Sequence, residues 1–137
     1  MKKIIGLPAF SDNYIWLIVD ACNAAVIDPG DGQVVAKYLQ ENNLALDSIL
    51  ITHHHADHTA GIDLLQSLFK ATVYLPVLTN KTPQEPVKRL KDLDIIEVLG
   101  ETVHVIATPG HTLDHICYHF PRLENQSILF SGDTLFV

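Results

Sequence analysis

The chain has 137 residues, a length that suits one domain with a sizeable hydrophobic core. Hydrophobic residues make up 47% and charged residues 18%, an ordinary globular composition that excludes a disordered or collagen-like chain. A formal net charge of -7 excludes a general nucleic-acid or anionic-membrane surface, because those partners select for clustered lysine and arginine.

The cysteines and the N-terminal residues favour a cytoplasmic protein. Cys22 and Cys117 lack the C-x-x-C spacing of a redox pair, and we interpret both as reduced core thiols. The stretch MKKIIGLPAF begins like a signal peptide, but Pro8, Ser11 and Asp12 interrupt any apolar segment. No stretch approaches the ~18 apolar residues that a membrane span needs. We therefore expect a cytoplasmic location and no membrane partner.

The first half of the chain interleaves predicted strands and helices. Short apolar runs rich in β-branched residues predict a strand meander at KKIIGL, NYIWLIVD and NAAVID, followed by the turn DPGDG. Apolar residues at helical spacing predict amphipathic helices over residues 33–43 and 61–69. Between them, DSILIT is typical of a strand buried on both faces.

The second half is predicted to be mostly strands, at TVYL, DIIEVL, TVHVIA, HICYHF and SILFSG. Residues 76–90 contain two prolines and several charges, and we predict an exposed connection with at most a short helix there. This order of elements fits an α/β sandwich with helices packed outside the sheets.

The stretch THHHADHTAG directly follows the predicted buried strand, with the spacing His53-x-His55-x-Asp57-His58. Alternate residues of an extended segment point to the same side, so His53 and His55 can reach one metal ion together. Asp57 and His58, at the turn into the next helix, can face a second ion. Imidazole and carboxylate groups are suitable ligands for zinc or iron. In a purely structural loop the same groups would be unpaired, and burying them would be costly.

Two later stretches place further potential ligands just past strand ends. His111 follows Pro109-Gly110 after TVHVIA, and Asp133 follows a glycine after SILFSG. Each would be weak evidence alone, but together with HxHxDH they form a strong metal-binding pattern.

Four further histidines fall outside this pattern: His54, His104, His115 and His119. His54 should point away from its two neighbours, and His104 is predicted to be a hydrogen-bonded strand residue. Thr52 is expected to cap a helix or to orient the ligating rings, and Asp28 to shape a loop near the site.

These residues carry a family resemblance. THHHADHTAG, TPGHT and SGDTLF resemble the metal motifs of the metallo-β-lactamase superfamily, and PAFSDNYIWLI with DPGD is similar to glyoxalase II, the hydroxyacylglutathione hydrolases. The resemblance runs from about Leu7 to the last residue. It implies an αβ/βα sandwich, of which this chain supplies the first half and the start of the second. Residues 1–137 would then be one metallo-β-lactamase-like domain, incomplete at its C-terminal end.

The resemblance also implies a centre of two divalent metal ions, zinc first, with iron and manganese accepted by the same ligand types. Its ligands in this chain would be His53, His55, Asp57, His58, His111 and Asp133. The first ion would take the two histidines of H-x-H and that of TPGHT, the second Asp57 and His58, with Asp133 bridging. Asp57 and Asp133 are also the carboxylates assigned to catalysis.

The activity implied by the resemblance is hydrolysis of a glutathione thioester, S-D-lactoylglutathione, to D-lactate and glutathione. Metal coordination lowers the pKa of water from 15.7 toward ~7, and a hydroxide held between two cations is well placed to attack the thioester carbonyl. No serine or cysteine nucleophile is then required.

The sequence departs from the family pattern in two places. Asp114 stands where the family usually has glycine, which puts an extra carboxylate close to the predicted metal cleft. Family chains also continue past GDTLF with a glycine-rich segment, another histidine that completes the second metal site, and a helical domain. We therefore expect the 137-residue form to hydrolyse thioesters poorly or not at all.

Two alternatives stay open. One is a mononuclear-iron sulfur dioxygenase on the same fold, acting on glutathione persulfide and retaining His53, His111 and Asp133 as ligands. The other is an inactive metal-binding fragment.

Overall fold

The computed structural model describes residues 2–9, 13–53, 59–108, 115–132 and 134–136. Over these ranges the chain forms eleven strands and two helices. The strands are β1 (Lys2–Ala9), β2 (Asn13–Asp20), β3 (Asn23–Ile27), β4 (Ala45–Leu50), β5 (Thr72–Pro76), β6 (Val87–Leu90), β7 (Ile95–Val98), β8 (Glu101–Ala107), β9 (Ile116–Leu123), β10 (Gln126–Ser131) and β11 (Thr134–Phe136). The helices are α1 (Gly32–Glu41) and α2 (Ile62–Leu68).

The described strands form two sheets. The first has the order β1-β2-β3-β4-β5-β6, antiparallel from β1 to β3 and parallel from β3 to β6. The second has the order β11-β10-β9-β8-β7 and is antiparallel throughout. Parallel neighbours need a crossover connection, and α1 and α2 lie in the connections from β3 to β4 and from β4 to β5.

Two hydrophobic clusters join three layers, which are the pair of helices, the first sheet and the second sheet. One lies between the helices and the first sheet and includes Val35, Leu39 and Ile49. The other lies between the two sheets and includes Leu50 and Tyr118. The neighbouring β4 residues Ile49 and Leu50 thus belong to different clusters, as the continuous apolar run predicts for a strand buried on both faces. The predicted α/β sandwich with helices outside the sheets is confirmed.

Both predicted helices are confirmed to within two residues at each end. Helix α1 begins after Asp31, whose side chain accepts hydrogen bonds from the backbone N–H groups of Gln33 and Val34 at 3.1 and 3.2 Å. This satisfies two of the amide donors that a helix leaves unpaired at its start. Within the ranges above, neither helix has the length and apolarity needed to cross a bilayer.

The prediction for residues 76–90 is wrong at its end, where the structure has strand β6. This strand pairs parallel with β5 from Val73↔Val87 to Pro76↔Leu90. Its sequence, VKRL, resembles a loop because Lys88 and Arg89 are exposed. Charged side chains are typical of edge strands, where they discourage pairing with other chains.

Candidate metal centre

His53 is the predicted ligand that falls within the described residues, and it is buried three residues after the end of β4. The other five, His55, Asp57, His58, His111 and Asp133, lie outside those residues and stay predictions. Within the described ranges alone, no three His, Cys, Asp or Glu side chains form a group that could hold a metal ion. The geometry of the site is therefore built from His53 and its neighbours.

A chain of hydrogen bonds connects His53 to a buried carboxylate. The carboxylate of Asp28 accepts the backbone N–H of Thr52 at 2.7 Å and the Thr52 hydroxyl at 2.6 Å. The same hydroxyl oxygen lies 2.8 Å from Nδ1 of His53. All three residues are buried.

This arrangement determines which ring nitrogen of His53 carries the proton. A threonine hydroxyl has one hydrogen, and Thr52 donates it to Asp28. Nδ1 of His53 must then donate to the Thr52 oxygen, which leaves Nε2 as the nitrogen with the lone pair. A neutral imidazole oriented by a partner on its other nitrogen is the usual form of a metal-binding histidine. In this form His53 fits the role of one ligand of a divalent metal ion.

Asp28 itself is held by the backbone around it. It has a left-handed conformation, φ 50°, which aspartate tolerates better than most residues, and its N–H donates to the carbonyl of Leu50 at 2.9 Å. The following turn is clamped by Gly61, whose N–H donates to the Pro29 carbonyl at 2.8 Å. The turn DPGDG follows β3 and thus holds the Asp28 carboxylate beside the end of β4.

Strand β9 of the second sheet fixes the end of β4 from the other side. The N–H of Ile116 donates to the carbonyl of Thr52 at 2.9 Å, and the Tyr118 hydroxyl donates to the carbonyl of Ile51 at 2.7 Å. Burial raises the pKa of Tyr118 well above its ordinary value, and the negative charge of Asp28 raises it further. Tyr118 therefore stays a neutral donor that joins the two sheets beside His53.

His115 is the neighbour of the site that the sequence did not single out. Its ring centroid lies 5.1 Å from that of His53, with an angle of 31° between the two planes. Its position four residues after His111 was a usable signal, since the start of β9 brings that segment back to the strand end. His104 and His119, in contrast, pair across β8 and β9, and His119 hydrogen-bonds Ser127 at 2.7 Å. The prediction that His104 is a strand residue is confirmed.

Comparison with known proteins places this chain in a family. A family model described as the metallo-beta-lactamase superfamily matches residues 9–137, so the chain belongs to that superfamily. Within it, the chain is similar to hydroxyacylglutathione hydrolases. That of Hydrogenovibrio crunogenus is 46% identical over 140 residues, which cover 98% of this chain and 49% of the relative. The predicted fold class and the family resemblance are confirmed.

Solved structures show the same fold. The crystal structure of ETHE1 from Myxococcus xanthus matches with a TM-score of 0.66 and 32% identity, covering 86% of this chain and 52% of that one. The BLEG-1 B3 metallo-beta-lactamase matches with a TM-score of 0.72 and 23% identity, covering 88% and 67%. The chain spans about half the length of the curated relatives it matches.

Proposed function

We propose that this sequence forms the metal-binding half of a glutathione thioester hydrolase, which converts S-D-lactoylglutathione and water into D-lactate and glutathione. The observation that carries the proposal is the buried chain of hydrogen bonds from Asp28 through Thr52 to Nδ1 of His53. It occurs in a chain that is 46% identical to a hydroxyacylglutathione hydrolase.

The chain's own residues would prepare the site for two divalent ions, zinc first. When bound, such ions supply a water of lowered pKa and polarise the thioester carbonyl. Thr52 and Asp28 would keep the proton on Nδ1 of His53, so that Nε2 would be the nitrogen that ligates the metal. Tyr118 and Ile116 hold the end of β4, which carries His53, against the second sheet. The remaining predicted ligands and the catalytic carboxylates Asp57 and Asp133 belong to this proposal.

The direct test replaces the matched half of the Hydrogenovibrio crunogenus relative with this sequence. We expect the zinc-loaded chimera to hydrolyse S-D-lactoylglutathione, measured as loss of the thioester and release of glutathione. The His53→Ala chimera should lose this activity, because it lacks a ligand of the first ion. The His104→Ala chimera is the matched control, since His104 lies on a strand of the second sheet, and should stay active.

The same preparation separates the alternatives. Oxygen uptake with glutathione persulfide, without thioester hydrolysis, would identify a sulfur dioxygenase instead. A folded, metal-loaded chimera that catalyses neither reaction would contradict the proposal and support a metal-binding fragment without activity.

A further inference from the structure

His115 lies where strand ends of both sheets meet beside His53. It directly precedes β9, while His53 follows β4 and Gly132 follows β10. A Cβ atom built on Gly132 would lie 3.7 Å from Nε2 of His115 and 3.8 Å from Cε1 of His53. Both rings therefore lie close to Gly132, the residue before Asp133.

The orientation of the His115 ring is determined by its hydrogen bonds. The Thr108 hydroxyl oxygen lies 2.7 Å from Nδ1 of His115, and the N–H of Thr108 donates to the His115 carbonyl at 2.9 Å. The next residue, Ile116, donates its N–H to Thr52 at 2.9 Å. With the backbone held on both sides and Nδ1 engaged, Nε2 is the nitrogen that faces Gly132.

His115 is also close, in the structure or in the sequence, to each residue that is predicted to supply a ligand of the first metal site. It contacts the ring of His53, it faces the residue before Asp133, and it lies four residues after His111. A histidine whose ring is held through Nδ1 has a defined orientation and is suited to orienting its neighbours.

We propose that His115 is a positioning residue of the metal centre. Its ring packs against the ring of His53 on one side, and its Nε2 edge lies close to the turn at Gly132 on the other, so that the ligands approach one ion together. The inference rests on the proposed metal site and adds to it a residue outside the ligand pattern.

Two amide substitutions separate the roles of the two ring nitrogens. His115→Asn keeps a polar group near the position of Nδ1, within reach of Thr108. His115→Gln places one near the position of Nε2, toward Gly132. We expect His115→Ala to weaken zinc binding about 10–100-fold, the usual effect of losing a group that orients a ligand. His115→Gln should recover most of this loss and His115→Asn little of it.

The readouts are zinc affinity, by competition with a chromophoric chelator, and the absorption spectrum of the Co²⁺-loaded chain at full occupancy. The His115→Ala spectrum should shift because the ligand geometry changes, whereas His104→Ala should match the wild type. An unshifted spectrum with unchanged zinc affinity would overturn the inference. Equal losses in His115→Gln and His115→Asn would also overturn it, because they would indicate packing alone.

The two proposals fail in different ways. A wild-type chain that binds neither Zn²⁺ nor Co²⁺ overturns the metal site and this inference together. A wild-type chain that binds both ions, with His115→Ala indistinguishable from it, overturns the inference and leaves the metal site intact.

Discussion

A single proton position decides whether His53 is prepared to bind a metal. Asp28 accepts both hydrogens that Thr52 offers, and the Thr52 oxygen can then only accept from His53. The sequence predicted that Thr52 orients a ring and that Asp28 shapes a loop. The order of the three residues in one chain of hydrogen bonds could not be predicted, because Asp28 and Thr52 are brought together by the pairing of β3 with β4.

Thr52→Val tests this chain of hydrogen bonds with little change in side-chain shape. It leaves Nδ1 of His53 and one oxygen of Asp28 without this partner, so zinc affinity should fall about 10–100-fold. The free energy of unfolding should fall by about 1–3 kcal/mol, the cost of unsatisfied buried groups. Thr79→Val is the matched control, a buried threonine elsewhere in the chain, and should leave zinc affinity unchanged. Wild-type zinc affinity in Thr52→Val would contradict the assigned tautomer.

Tyr118→Phe tests the contact between the sheets through its pH dependence. The folded-state pKa of Tyr118 is raised, so the stability from its protonated hydroxyl is complete below about pH 10, the unfolded value, and is lost above it. The wild-type free energy of unfolding should therefore decline more steeply above about pH 10 than that of Tyr118→Phe, by up to about 1.4 kcal/mol per pH unit. Urea unfolding across this range measures both slopes, and parallel slopes would contradict the account.

At neutral pH the same substitution removes a buried hydrogen bond to Ile51, which should cost about 0.5–1.5 kcal/mol. Tyr14→Phe removes an exposed hydroxyl and is the matched control for this second comparison. It should leave the urea midpoint at neutral pH unchanged.

At the scale of elements, periodicity and turn chemistry predicted most of the fold, because each helix and most strands bury a complete apolar face. The exceptions were β6 and β11, two short strands that are defined by their neighbours β5 and β10 rather than by their own pattern. The contact between His115 and His53 was missed for a similar reason. The spacing of four residues from His111 signalled a position near the predicted site, but the ring contact itself depends on how the two sheets meet.

Gly61→Ala tests the clamp that holds the turn before α1 against the start of α2. A Cβ at Gly61 would overlap the Pro29 carbonyl oxygen and lie 2.7 Å from the Gly32 nitrogen, and these backbone atoms cannot rotate away. We expect a loss of about 3 kcal/mol in the free energy of unfolding. Zinc affinity should also fall, because the displaced turn carries Asp28.

Gly100→Ala is the comparison for this variant. Gly100 has φ +80°, but a Cβ there meets no other atom within 4 Å. Only backbone strain of about 1–2 kcal/mol should result, with zinc affinity unchanged. Equal effects of the two substitutions, on both stability and zinc binding, would show that the turn does not depend on the close approach at Gly61.

At the scale of the whole molecule, the proposed metal centre would lie where the two sheets meet, with support from both. The first sheet provides His53 and the bonds from Asp28 and Thr52, whereas the second provides Ile116, Tyr118 and His115. A metal bound there should hold the sheets together. An ion that binds only the folded state adds about 2.7 kcal/mol of stability at a hundred times its dissociation constant.

The zinc affinity of the chain, compared between the wild type and His53→Ala, tests this account most directly. The metal-free proteins are titrated with Zn²⁺ in competition with a chelator of known affinity, with His104→Ala as the histidine control. We expect the wild type and His104→Ala to bind zinc equally, and His53→Ala to bind it at least about a hundredfold more weakly. Equal zinc binding by the wild type and His53→Ala, or none by either, would contradict a metal centre organised around His53.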